Sequence, residues 1–98
     1  KEMTLWMDYW KISDQAMDEF SKKILLLEEM NSFEISLNSC SEISDEGVLA
    51  IGKSLASLPK LQRIHLSLED CGLVTNFAIN ELRNLFPEVD GCELTIYH

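Results

Sequence analysis

Four short stretches of the chain alternate apolar and polar residues with period two. They carry Met3, Leu5 and Met7; Phe33, Ile35 and Leu37; Ile64, Leu66 and Leu68; and Cys92, Leu94 and Ile96. Successive side chains of a strand point to opposite faces, so each stretch predicts a strand with one buried face. Between the stretches the spacing becomes helical: Gly47, Ile51, Leu55 and Leu58 recur at intervals of three and four, and Phe20, Ile24 and Leu27 do the same. Pro59 predicts a helix stop, because it has no N–H to donate and pushes Leu58 out of the α region.

One strand, one turn and one helix fit in about thirty residues, and the pattern then begins again. The turn position holds Trp10, Cys40 and Cys71, and the apolar residue closing it is Ile12, Ile43 and Val74. Ser13-Asp14, Ser44-Asp45 and Thr75-Asn76 follow, all helix-capping types whose side-chain oxygens accept from free N–H groups of the first turn. Small residues come next in register (Ala16, Gly47, Ala78), then Phe20, Ile51 and Leu82 on the same helical face. Met30, Leu61 and Val89 each precede the next strand by three residues. Counted from Met3 to Phe33, Ile64 and Cys92, the strand-to-strand gaps are 30, 31 and 28. Parallel strands need a crossover of a dozen or more residues, and each repeat supplies a helix for it.

The segment Leu61-x-x-Ile64-x-Leu66-x-Leu68-x-x-Cys71 resembles the leucine-rich repeat motif L-x-x-L-x-L-x-x-N/C-x-L with the strand lengthened by one alternating pair. Ile43-Ser44-Asp45-Glu46-Gly47 and Ile12-Ser13-Asp14-Gln15-Ala16 are similar to the start of the helix in the long, ribonuclease-inhibitor-like form of that family. Trp10 stands where the family has Asn or Cys, and Phe77-Ala78 where Glu-Gly is usual. The resemblance implies an α/β fold: a right-handed solenoid with a parallel concave sheet and convex helices, three repeats plus a closing strand. It covers the chain as a single domain, 1–98, with repeats at about 2–31, 32–62 and 63–90 and a final strand at 91–98. Neither end carries an obvious polar cap, so the ends are expected to meet further repeats of the same protein or a neighbour in a multi-subunit assembly. A sequence that opens at Lys1 within patterned sequence is expected to be processed or cut from something longer.

Composition narrows the function classes. Seventeen acids against eight bases give a net charge of −9 across 98 residues. Nucleic acid and anionic membrane, which a protein must meet with Lys and Arg, are therefore not expected as partners. Nor is membrane insertion expected: the longest apolar run, Ile24 to Leu27, is far short of the roughly 18–20 residues that cross a bilayer. Three cysteines, an odd number, predict reduced thiols in an intracellular, cytoplasmic setting.

With the aliphatic residues turned inward, the other strand residues form a face whose columns can be written down. They are Thr4, Glu34, His65, Glu93; Trp6, Ser36, Ser67, Thr95; and Asp8, Asn38, Glu69, Tyr97. Leucine-rich repeats commonly bind proteins on this side. The expected partner-binding set is Trp6, Asp8, Glu34, Ser36, Asn38, His65, Ser67, Glu69, Glu93 and Tyr97. Carboxylates there would steer a basic protein partner, and an exposed Trp is a frequent anchor. The rival reading has Trp6 covering the apolar end of the sheet and the acids simply solvated.

Catalytic signatures are absent: no G-x-S-x-G, no H-E-x-x-H and no phosphate-binding glycine loop occurs. His65 alone among surface strand residues does not make an acid–base centre. Cys40 and Cys71, one repeat apart, are expected to lie about 4.8 Å apart as structural thiols bonding backbone within the turn. Without a C-x-x-C or a histidine at ligand spacing, neither metal nor other cofactor is expected. Asp18, Glu19, Lys22, Lys23, Glu28 and Glu29 form a mixed-charge helical face, with Glu19–Lys23 a candidate i,i+4 pair. The first and last strands are expected to be open edges. The function that fits is a non-catalytic protein–protein interaction or scaffolding module. The alternatives are a regulator of a partner enzyme (inhibitor of a basic hydrolase, or GTPase modulator) and the substrate-recognition arm of a ubiquitin ligase.

Overall fold

The computed structural model describes residues 1–86 and 91–98, so Val89 lies outside the described residues. The elements run β1 (Glu2–Trp6), α1 (Asp14–Ile24), β2 (Ser32–Ser36), α2 (Asp45–Ala56), β3 (Arg63–Ser67), α3 (Asn76–Leu85) and β4 (Glu93–Tyr97). The result is an α/β fold: one four-stranded sheet in the order β1-β2-β3-β4, every pair parallel, with a helix in each crossover.

Each helix starts where its cap dictates. Ser13 Oγ accepts from Ala16 N–H at 3.1 Å, Ser44 Oγ from Glu46 N–H at 3.4 Å, and Thr75 Oγ1 from Phe77 N–H at 3.3 Å. Helix α2 ends at Ala56, before Pro59: Ser57 and Leu58 donate to Ser54 and Leu55 carbonyls in a tightened last turn. Leu58 then turns inward and is buried beyond the helix end.

One continuous core joins the buried strand face to the helices. Phe33, Ile35, Ile64 and Leu66 line it from the central strands; Met17, Ile24, Val48, Ile51, Leu55 and Leu82 line it from the helices. The stripe expected on α1 is therefore shifted. Ile24 is fully buried, Phe20 and Leu27 are only half-buried, and Met17 takes a fully buried place. Phe20 differs from its counterparts Ile51 and Leu82 because, among the described residues, α1 packs on α2 alone, whereas Ile51 and Leu82 belong to helices packed on the helix before them. Gly52 is buried where α2 meets α3, and a Cβ there would run into the Leu82 side chain.

The last strand sits two residues away from its expected register. Ile64 pairs with Leu94, not Cys92, and Leu66 with Ile96, so the offsets are 30, 31 and 30. A slip of two keeps every side chain on its own face, so alternation alone does not distinguish the two registers. Backbone bonds decide it: Leu68 N–H donates to Tyr97 O at 2.6 Å and Glu93 N–H to Gln62 O at 2.9 Å. The expected Glu19–Lys23 pair also gives way. Lys22 lies 3.5 Å from both Asp18 and Glu19, which hold its ammonium above the ordinary lysine pKa, Glu19 contributing most. Glu29 instead reaches across to Lys60 at 2.8 Å.

Candidate functional site

The face of the sheet turned away from the helices carries the residues singled out in the sequence. Across the four strands its rows are Glu2, Ser32, Arg63, Glu93; Thr4, Glu34, His65, Thr95; and Trp6, Ser36, Ser67, Tyr97. Asp8, Asn38 and Glu69 follow just beyond the strand ends. The register correction moves three side chains. Glu93 stands beside Arg63 rather than His65, Thr95 beside His65, and Tyr97 beside Ser67 rather than Glu69. The Tyr97 ring consequently packs on His65, with centroids 4.9 Å apart at 46°. Glu93 and Arg63 come within 3.8 Å, but both are mostly exposed, and such a pair adds little to stability.

Four of the ten predicted residues are engaged within the sheet itself. Asp8 Oδ1 accepts from Asn38 N–H at 2.8 Å and from the Ser36 hydroxyl. One repeat on, Asn38 Oδ1 accepts from Glu69 N–H at 2.8 Å and from the Ser67 hydroxyl at 2.7 Å. The strands end at these rungs and the chain turns, which is why the same side-chain types recur there. Asp8, Ser36, Asn38 and Ser67 are half-buried, with their polar groups directed to the neighbouring repeat. Trp6 (75% exposed), Glu34, His65, Glu69, Glu93 and Tyr97 remain to face outward. Tyr9 and Trp10 continue the exposed aromatic surface from Trp6 around the first turn.

A second ladder runs along the helix starts and was not legible as such. Asp14 Oδ1 accepts from Ser44 N–H at 2.8 Å and Gly47 N–H at 3.1 Å, while Oδ2 accepts from the Ser44 hydroxyl. Asp45 takes Thr75 N–H at 2.6 Å and the Thr75 hydroxyl in the same way. Asp14 thus caps the helix of the following repeat through Gly47 N–H, whereas Asp45 holds the N-cap residue Thr75 of the next helix; each also opens its own helix. The recurring Ser-Asp pair was the available signal; only the cross-repeat direction was missing.

The thiols are structural. Cys40 and Cys71 are buried, and their Sγ–H groups donate to Met7 O at 3.2 Å and Leu37 O at 3.0 Å. Burial pushes both thiols, and that of Cys92, above the ordinary cysteine value; the neighbouring Cys71 adds to the effect at Cys40. A cavity of about 170 Å³ lies among Leu55, Leu58, Leu61, Leu85, Phe86 and Cys92, and the described residues that line it carry no charged side chain. Among the described residues no three metal-ligating side chains come together, and no helix is long and apolar enough to cross a membrane. No family model matches the chain, and no curated protein matches it.

Proposed function

We propose that this chain is a leucine-rich-repeat module of the ribonuclease-inhibitor-like kind, a right-handed solenoid whose outward sheet face is its concave side. Its role is to bind a basic protein partner, as a non-catalytic interaction or scaffolding unit of a larger assembly. The observation that carries this reading is the near-constant offset of 30–31 residues between in-register parallel strands, with matching ladders at the strand ends and helix starts. Repeats of this kind stack so that each neighbour covers the other, leaving a surface set by the strand residues. On that surface Glu34, Glu69 and Glu93 lie among Trp6, Tyr97 and His65. Carboxylates steer an arriving cation, and the aromatic rings offer faces over which Arg or Lys can sit. Three free thiols fit a reducing compartment, and the module is assigned to the cytoplasm.

The test compares the natural chain with Glu34→Lys/Glu69→Lys and with Trp6→Ala, against labelled Arg- and Lys-rich peptides and an acidic control peptide. Circular dichroism first establishes that the variants remain folded. Binding of the basic peptides is expected to weaken as salt rises, to vanish in the charge-reversed variant and to fall in Trp6→Ala. Equal binding by all three chains would refute the proposal for this face.

A further inference from the structure

We propose that His65 makes partner binding on the outward face depend on pH: the neutral ring leaves Glu34 free for a cation of the partner, and the protonated ring takes that cation's place. The inference rests on the basic-partner reading above and adds the regulation of that same face.

His65 and Glu34 are register partners on the two central strands, β3 and β2, so strands of this chain flank both of them. Both side chains lie on the outward face and are half-buried. Neighbouring strands run about 4.8 Å apart, which brings the imidazole within reach of the flexible Glu34 side chain. On its other flank the ring rests on Tyr97 of β4, with centroids 4.9 Å apart at 46°. Among the described residues Glu34 takes part in no ion pair, so its carboxylate is available to whichever cation arrives.

The charges around the ring are few. Glu34 faces it from β2; from β4 Tyr97 touches it, and Glu93 stands beside Arg63, 3.8 Å away. On its own strand Arg63 precedes it on the same face, and Glu69 follows just beyond the strand end. The helices pack on the other face of the sheet, so none of their charges faces the ring. Arg63 and Glu93 offset each other, which leaves Glu34 and Glu69 as the unbalanced charges near the ring.

Histidine is the side chain whose charge ordinarily changes between pH 5 and 8, whereas a carboxylate stays ionised over most of that interval. At the alkaline end a basic partner meets the bare Glu34 carboxylate beside uncharged aromatic surface. At the acidic end the imidazolium supplies Glu34 with a cation from within the chain and sets a positive charge in the middle of the face. Binding of a basic partner therefore weakens as the ring takes up its proton. By linkage, a bound partner makes the ring harder to protonate. One charge at such a solvated site changes affinity by about two- to fivefold.

The test measures binding of labelled Arg- and Lys-rich peptides that contain no histidine, at about pH 7.5 and about pH 5.5 and at constant ionic strength. Circular dichroism at both values establishes that each chain is folded. The natural chain is expected to lose about two- to fivefold in affinity at the acidic value. The readout is the ratio of the two affinities within each chain. In His65→Gln that ratio is expected to approach one, and in His65→Lys, charged throughout, it is expected to do the same. The other histidine, His98, lies with Nε2 3.3 Å from Val74 O and is common to all three chains, so the comparison isolates His65. Binding with the same ratio in the natural and His65→Gln chains overturns the pH gate and leaves the basic-partner reading standing. No binding at about pH 7.5 overturns both. NMR titration of the His65 ring reads the pairing without any partner. The midpoint is expected at lower pH in Glu34→Gln than in the natural chain, because the imidazolium loses its carboxylate. Equal midpoints overturn the pairing.

Discussion

Replacing Asp14 by Ala tests whether the repeats are held together at the helix starts. The substitution removes an acceptor of three hydrogen bonds, from Ser44 N–H, Gly47 N–H and the Ser44 hydroxyl. Hydrogen bonds to a charged group contribute about 1.5–3 kcal/mol each when nothing replaces them. This site is only part-buried, so water reaches the released groups and the total shrinks to about 2–3 kcal/mol. For a domain of this size that lowers Tm by about 10–20 °C. Asp45→Ala, with two such bonds at an exposed site, should cost about 1 kcal/mol.

The same geometry predicts a coupling. A Cβ at Gly47 would lie 2.5 Å from Asp14 Oδ1, with Ile43 and Met17 at 3.1 and 3.3 Å. Gly47→Ala therefore forces Asp14 off its bonds, against a propensity gain of at most about 1 kcal/mol at this first-turn position. In the Asp14→Ala background that conflict is gone, and the cost of Gly47→Ala should fall by at least about 1 kcal/mol. Urea unfolding of the four chains of the cycle, followed by circular dichroism, measures all the terms. A loss under about 0.5 kcal/mol for Asp14→Ala, or additivity within about 0.3 kcal/mol, would refute the cross-repeat cap.

Three further outcomes are expected. Gly52→Ala should destabilise by about 1–3 kcal/mol in urea unfolding, since the methyl runs into the buried Leu82 side chain, which must shift to admit it. Ser39→Gly should stabilise by roughly 0.5 kcal/mol in the same assay, because Ser39 sits at φ 61° in the left-handed region that a Cβ disfavours. Stability should decline as pH rises past the ordinary thiol value of 9.0: the unfolded chain releases its thiol protons there while the folded chain, with its thiols raised by burial, still holds them. Unfolding measured against pH should show a shallower decline in Cys40→Ala, by up to about 1.4 kcal/mol per pH unit, than in the natural chain.

Much of this architecture was legible because it depends on local periodicity. Alternation at Phe33, Ile35 and Leu37 and helical spacing at Ile51 and Leu55 report which side of each element meets the core. Recurrence about every thirty residues adds that the units lie side by side. Ser13, Ser44 and Thr75 mark the helix starts because capping acts within one turn of chain. The outward face was readable for the same reason, as the complement of the buried one.

Relations between repeats were decided only by tertiary structure. Tyr97 packs on His65, and Glu93 meets Arg63, because β4 sits two residues from the register that apolar alternation suggested. Period two is blind to an even slip, so the choice fell to backbone bonds at the strand ends. Asp8, Ser36, Asn38 and Ser67 read as free surface from sequence, yet their polar groups turn to a neighbouring repeat, the aspartate and asparagine to the following one and the serines to the preceding one. Asp14 and Asp45 read as caps of their own helices but close on the following ones. A sequence pattern reports the face on which a side chain lies; its partner across a gap of thirty residues exists only once the repeats are stacked.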